Sequence, residues 1–277
     1  KRFALENDIT FYDIKQHRGF LRNLIIKTNE SGQVLLVLSV HERNEEQIEI
    51  IFSHLRSKFP QIVSAYVAIN LKKNDSWHDL QCEKIFGEDY LMTTLGHVQF
   101  CLGPKSFFQT NRSQAEKLYQ IVDKYCDLKG TETVYDLYCG VGSIGIYLAR
   151  KASKIVGIEE IPEAIQDAVA NAALNNLNQC EFLAGDVLQL LTPQLLESFG
   201  RPDVLIVDPP RTGIHPDVIQ QIINFAPDKL VYVSCNPSTA ARDIQLLSSS
   251  YRIDRMQPVD MFPMTNHVEL VSCLIKI

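Results

Sequence analysis

The sequence predicts an α/β protein: a doubly wound, mostly parallel sheet over residues 106–277, preceded by a smaller α+β domain over residues 1–105. Two observations carry this expectation. Apolar strand-like runs alternate with amphipathic helical stretches from about residue 106 to the end, and seven such runs can be counted. The first of them breaks into a glycine-rich turn, as strands of nucleotide-binding sheets do. At 277 residues the chain is long enough to bury two cores, and 45% hydrophobic with 22% charged residues is an ordinary globular composition.

In the first domain, 21–28 and 33–40 are β-branched, apolar runs separated by Asn29-Glu30-Ser31-Gly32, a turn signal, so they predict a hairpin. Ile48, Ile51, Phe52, Leu55 and Phe59 then fall on one helical face. Pro60 closes that helix, and 62–69 reads as another strand. A polar patch over 72–79 and short strand-like pieces over 84–102 follow, none of which names a chemistry.

The second domain begins past Gly103-Pro104. Ser113 with Glu116 three residues on reads as a capping box opening a helix whose apolar face is Ala115, Leu118, Tyr119, Val122 and Tyr125. The predicted strands are 133–139, 154–160, 180–187, 202–209, 229–235, 252–258 and 268–277. The clearest helix between them spans 163–176, with Ala164, Ile165, Ala168, Val169, Ala172 and Ala173 on one face. The last two strands lack a helical connection, so one of them is expected to run antiparallel to the rest.

Composition excludes several classes. No apolar run reaches the length of a membrane span, and no signal-peptide pattern opens the chain. Seven cysteines without a Cys-x-x-Cys pair argue against a disulfide framework or metal site, and for a reducing cytoplasm. Residues 1–105 hold 13 basic and 13 acidic side chains, whereas residues 106–277 hold 14 and 20, which accounts for the net charge of −6. A globally basic nucleic-acid footprint is therefore missing, and any such contact rests on local patches, at 15–22 or Lys72-Lys73, or on a segment outside this chain.

Gly140, Gly142 and Gly145 in DLYCGVGSIG satisfy G-x-G-x-x-G. Glu159, ending the second strand of this domain, stands where a carboxylate accepts both hydroxyls of an adenosine ribose, which NAD and S-adenosylmethionine share. Asp136, inside the first strand, suits a ligand carrying an ammonium and a sulfonium better than a pyrophosphate. Asp186, ending the third, can hydrogen-bond an adenine amino group, although any one of these carboxylates is equally suited to capping a helix. In order, the three are the pattern of class I methyltransferases, which this domain resembles.

Asp208-Pro209-Pro210-Arg211 follows the fourth strand as a carboxylate and a rigid shelf. Cys235 ends the fifth, followed by Asn236 as a helix N-cap and Pro237 at the first helical position. The dipole of that helix is expected to favour a thiolate. Glu269 opens the last strand, otherwise apolar, where an idle charge would be costly to bury. A strand-end thiol, a carboxylate and a methyl donor point to one reaction. The thiolate adds to C6 of uracil and makes C5 nucleophilic, C5 takes the methyl group, and a base removes the C5 proton before the thiol leaves.

FFQTN, DLYCGVG, VDPPR, VSCNPSTAARD and MFPMTNHVE, in this order, resemble the S-adenosylmethionine-dependent RNA uracil-5-methyltransferases. The resemblance implies a class I, Rossmann-like seven-stranded sheet. It makes Cys235 the nucleophile and Glu269 the proton-abstracting base. It places Gln109 beside the cofactor, with Tyr138, Gly140, Glu159, Asp186 and Asp208 at further cofactor positions and no metal. YVSCNP and QPVDMFP are closer to the 23S ribosomal RNA branch than to the transfer RNA one. Ser143 and Met264 depart from residues common in the family, Asn and His respectively. The chain opens on Lys1 and is expected to be the catalytic portion without the family's N-terminal RNA-binding barrel, acting on RNA as a cytoplasmic monomer. Phe107 and Phe108 can stack on a flipped base or serve as core aromatics. The competing readings are an NAD-dependent oxidoreductase, a non-catalytic RNA-binding module and an N-methyltransferase using the DPP shelf. Asp136, DPPR and the Cys235/Glu269 pair are unexplained by the first, and the thiol by the last.

Overall fold

A computed structural model describes residues 1–77 and 79–277; His78, inside the polar patch expected over 72–79, lies outside the described residues. The chain divides into two compact units, one of residues 1–94 and 101–105 and the other of residues 95–100 and 106–277. The chain therefore passes between units at 94/95, 100/101 and 105/106.

The first unit begins with α1 (Arg2–Glu6), then β1 (Leu21–Thr28), β2 (Val34–Val40), α2 (Glu45–Lys58), β3 (Ile62–Ile69) and β4 (Cys82–Gly87). The sheet runs β1-β2-β3-β4. The first pair is antiparallel, as the turn at 29–32 requires, and β2 with β3 is parallel because α2 provides the crossover. Of the predicted face of α2, Ile48, Ile51 and Phe52 are buried and pack with Leu36, Leu38 and Val67, and Leu55 is half-buried, whereas Phe59, the C-cap just past the helix, is exposed. A groove of about 600 Å³ in this unit is lined in part by Phe3, Phe11, Leu24, Leu55 and Phe59, none of which belongs to the motifs. A two-stranded ribbon, β5 (Leu91–Leu95) with β6 (Val98–Leu102), carries the chain onward.

The second unit holds α3 (Arg112–Cys126), β7 (Thr133–Leu137), α4 (Ser143–Leu148), β8 (Lys154–Glu159), α5 (Pro162–Leu174), β9 (Cys180–Ala184), α6 (Val187–Leu190), α7 (Pro193–Phe199), β10 (Val204–Val207), α8 (Pro216–Phe225), β11 (Lys229–Ser234), α9 (Pro237–Leu247), β12 (Tyr251–Val259) and β13 (Glu269–Lys276). The seven strands are ordered β12-β13-β11-β10-β7-β8-β9. Six run in one direction and β13 runs antiparallel to both of its neighbours, so of the last two strands it is β13 that carries the expected reversal. The central strands are apolar on both faces because helices cover both. Val204, Leu205, Ile206 and Val207 are all buried, as are Leu230 to Val233. Each such side chain contributes about 1.5–3 kcal/mol of transfer free energy. From β7 the chain first fills one side of the sheet and then returns to fill the other, so the order reverses between β7 and β10. A crevice opens beyond the carboxyl ends of the strands at such a reversal.

Two local expectations are corrected. The N-cap of α3 is Asn111, whose side chain accepts the Gln114 N–H at 3.3 Å; Ser113 sits inside the first turn and its hydroxyl donates to Asn111 Oδ1 instead. Asn caps as well as Ser, and it stands one residue before the helix, where a cap must be. On α5, Val169 and Ala173 are exposed and Asn171 is buried, its amide donating to the Val141 carbonyl at 3.5 Å.

Candidate active site

Tyr138, Gly140, Glu159, Asp186, Asp208, Cys235 and Glu269 stand at or just past strand ends on the carboxyl edge of the sheet in the second unit. After β7 the chain turns left-handed at Tyr138 (φ +62°) and again at Gly140 (φ +55°) before entering α4. Gly140 has open space where a Cβ would stand, and its N–H donates to Glu159 Oε2 at 3.1 Å. Glu159 Oε1 accepts from Ile161 N at 3.0 Å, so the end of β8 is bound to the glycine turn through one carboxylate. Gly145 is needed for a different reason: a Cβ there would lie 2.9 Å from Ile155 Cγ2 and 3.0 Å from Asp136 Oδ2. Gly145→Ala is expected to destabilise the unit by about 1–3 kcal/mol, read as a lowered melting temperature. Gly140→Ala meets no clash and carries only left-handed strain, so its melting temperature should fall less.

Asp136 lies deeper than a strand-end ligand would. It is fully buried, with Oδ2 accepting the Gly145 N–H at 2.9 Å and Oδ1 lacking a hydrogen-bond partner among the described residues. Burial pushes its carboxyl up to about 7, the Gly145 bond pulls it down, and Glu159 adds to the rise. Asp208, just past β10, is raised to about 8 by burial, then by Glu269 and Asp136. Asp186 caps α6, with Oδ1 accepting from Leu188 N (2.7 Å) and Gln189 N (3.3 Å). Tyr138 is half-buried, and burial with the charges of Asp186 and Asp243 raises its hydroxyl to about 12. Gln109 is half-buried, two residues before the cap of α3. Its loop is tied to the segment before β13, since Asn111 Nδ2 donates to the Met261 carbonyl at 2.9 Å. The two aromatics of that loop divide: Phe108 packs against Phe100, with ring centroids 5.2 Å apart, whereas Phe107 is 74% exposed.

Cys235 follows β11 directly, and α9 opens as expected, with the Asn236 side chain accepting the Ser238 N–H at 3.1 Å and Pro237 in the first turn. In the β11/β13 ladder Ser234 pairs with Leu270, so the next step sets Cys235 opposite Glu269. The electrostatics correct the simple dipole argument. Burial, Glu269 and Asp208 raise the Cys235 thiol, against a smaller lowering by Arg211. Glu269 is itself raised by burial and lowered by Arg211. Two carboxylates and lost water outweigh one helix end. Arg211 is the residue that sequence reasoning passed over: it is the cation acting on both groups, and its signal was its place in the VDPPR run.

This sheet order, with a glycine turn and strand-end carboxylates at its switch point, defines a class I methyltransferase fold, whose cofactor is S-adenosyl-L-methionine. The residues fit that group. An orphaned buried carboxylate oxygen at Asp136 suits a cationic ligand, Gly140 leaves its approach open, and Glu159 ends β8 where a ribose would lie. The family model for tRNA (uracil-5-)-methyltransferase matches residues 24–277. An uncharacterized RNA methyltransferase of Bacteroides thetaiotaomicron is 42% identical over 98% of this chain and 61% of its own length. One from Caldanaerobacter subterraneus is 39% identical over 99% and 61%. The chain thus spans about three fifths of these relatives (61%). The crystal structure of Pyrococcus abyssi tRNA (uracil-54, C5)-methyltransferase in complex with S-adenosyl-L-homocysteine superposes with a TM-score of 0.83 at 33% identity, over 99% of this chain and 64% of that one. The chain belongs to the tRNA (uracil-5-)-methyltransferase family.

A pH dependence follows from Asp136 and Asp208. Unfolded carboxyls lose their protons near 4, but these two keep theirs to about 7 and 8 in the fold. The folded protein therefore binds more protons between those limits, and its stability should fall as pH rises from about 4 to 8 and then level off. Thermal melts across that range test it. Affinity for S-adenosylhomocysteine, which carries an ammonium group, should rise over the upper half of the same range; calorimetry at pH 6 and 8 reads it.

Proposed function

We propose that this chain carries the catalytic portion of an RNA uracil-5-methyltransferase that works through a covalent enzyme–uracil adduct. The observation that supports this reading is the convergence of Cys235, Glu269 and Asp208 at adjacent strand ends, in the unit whose glycine turn and carboxylates fit the cofactor. In this reading Gln109, Tyr138, Gly140, Glu159, Asp186 and Asp208 hold the cofactor.

S-adenosylmethionine supplies an electrophilic methyl group. The chain's own residues do the rest. The Cys235 thiol gives its proton to solvent, and the thiolate that results gives an electron pair to C6 of the uracil, while the former C5=C6 pair moves onto C5 and the C4 carbonyl. With the methyl group on C5, the Glu269 carboxylate takes the remaining C5 proton. The electrons of that C–H bond restore C5=C6, and the C6–S bond breaks to return the thiolate. A carboxyl raised by burial is a stronger base than a free one, which suits this task.

The substrate is read as 23S ribosomal RNA, on the likeness of YVSCNP and QPVDMFP to that branch. Transfer RNA is the second reading, favoured by the 33% identity to the Pyrococcus abyssi enzyme. The setting is a cytoplasmic monomer; among the described residues no helix is long and apolar enough to cross a membrane. The test is a denaturing gel with S-adenosylmethionine and 5-fluorouridine-containing ribosomal or transfer RNA. Fluorine at C5 cannot leave as a proton, so the adduct should accumulate. A band requiring both cofactor and Cys235 supports the reading, and the RNA that yields it identifies the substrate. Turnover without any adduct would sink the covalent mechanism.

A further inference from the structure

The loop at 210–214, joining β10 to α8, has its backbone bonded largely by a different element, α9. The Arg211 carbonyl accepts from Asn236 Nδ2 at 3.1 Å and Thr239 Oγ1 at 3.3 Å. The Thr212 and Ile214 carbonyls accept from Arg242 Nη2 at 3.0 and 3.3 Å. The Ile214 N–H donates to Asp243 Oδ2 at 2.7 Å. That same oxygen takes the Tyr232 hydroxyl at 2.7 Å, while Oδ1 takes Arg242 Nε and Nη2 at 2.8 and 2.6 Å. Asp243 is 0% exposed, a carboxylate buried on the second residue of an Arg-Asp pair. Gly213 makes this approach possible: its φ is +78°, and a Cβ there would stand 2.5 Å from Asp243 Oδ2 and 3.1 Å from Thr239 Cβ.

A buried carboxylate costs several kcal/mol unless all its lone pairs are used, and this one is used by three separate pieces of chain. Two of them bear on the site. The loop carries Arg211, and α9 starts two residues after Cys235, past the Asn236 cap. The Arg211 side chain itself is exposed and long, so its reach is set by where its backbone is held. We propose that Asp243 is a positioning residue: by locking the 210–214 loop to α9, it holds the Arg211 guanidinium where it acts on Cys235 and Glu269. This rests on the reading of Cys235 and Glu269 as the reacting pair.

The charged groups facing the Cys235 thiol are Glu269 from β13, Asp208 from the end of β10 and Arg211 from the loop. Asp243 is not among them, so its influence on the thiol runs through position. If Arg211 drifts, the two carboxylates are left uncompensated and the thiol needs a higher pH to ionise.

The test is the pH dependence of Cys235 alkylation by iodoacetamide, followed peptide by peptide by mass spectrometry on the folded protein, without RNA. Asp243→Asn should raise the midpoint by about half a pH unit or more, and Thr239→Val should raise it in the same direction. Arg211→Gln should raise it at least as far, and adding Asp243→Asn to Arg211→Gln should move it no further. Tyr232→Phe, which removes one bond to the same carboxylate without touching the loop, should lower the melting temperature and leave the midpoint in place. Asp243→Asn is the variant at risk of misfolding; Thr239→Val removes one hydroxyl from a half-buried position and keeps the test open. An unmoved midpoint in either folded variant, or additive shifts in the double variant, overturns the proposal. Should the wild-type protein show the Arg211-dependent midpoint but never bind 5-fluorouridine RNA covalently, the catalytic reading fails and the positioning by Asp243 stands.

Discussion

Cys235→Ala protein is expected to bind S-adenosylhomocysteine as the wild type does and to form no covalent complex with RNA, with turnover reduced at least about 10⁴-fold. The size follows from the chemistry. Uracil C5 attacks a methyl donor poorly until a nucleophile adds at C6, so losing the thiol removes the step that creates the carbon nucleophile. Alanine keeps the end of β11 apolar, and the Asn236 cap, which positions α9, is untouched. The melting temperature should therefore change little, and isothermal calorimetry should separate lost chemistry from lost folding. In the wild type, adduct formation should speed up with pH through neutrality, because burial, Glu269 and Asp208 all hold the thiol protonated. A flat profile from pH 6 to 9 would contradict this electrostatic account. Retained adduct in Cys235→Ala would remove Cys235 as nucleophile.

Glu269→Gln should have the opposite phenotype at the same site. Glutamine fills the same volume and cannot take the C5 proton, so the methylated adduct forms and is released about 10²–10⁴-fold more slowly. The covalent band should then appear with ordinary uridine RNA, where wild-type protein leaves none. The substitution also deletes the largest charge opposing Cys235 ionisation, so the forward addition should be as fast as in the wild type, or faster, at neutral pH. Faster entry with blocked exit is a signature that simple loss of structure does not produce. Normal turnover in Glu269→Gln would assign proton removal to another group.

Much of this arrangement was legible in the chain because it rests on local rules. The runs now seen as β7 to β13, the crossover helices and the antiparallel β13 all follow from apolar periodicity and connection chemistry. Asn236 and Pro237 announced the start of α9, and the glycines of DLYCGVGSIG announced the turn after β7. Local rules failed where two partners competed. Asn111 and Ser113 are both good caps, and their places on the helix decided between them. Asp136 and Asp186 read as ligand carboxylates, yet Asp136 also accepts the Gly145 N–H from α4 and Asp186 the Leu188 and Gln189 N–H groups of the helix it caps.

The order of residues by itself determined which groups end each strand of the second unit, since strand ends, caps and glycine turns depend on neighbours a few positions apart. That was enough to bring Cys235, Glu269, Asp208 and Glu159 to one edge of one sheet. Only the tertiary structure decided what those groups experience there. The raised thiol, the proton-holding Asp136 and Asp208, and Arg211 held by a loop that α9 binds through Asp243 all involve partners remote along the chain. Burial and charge act through space, and a buried group's ionisation answers to every neighbour packed against it, wherever that neighbour lies in the sequence.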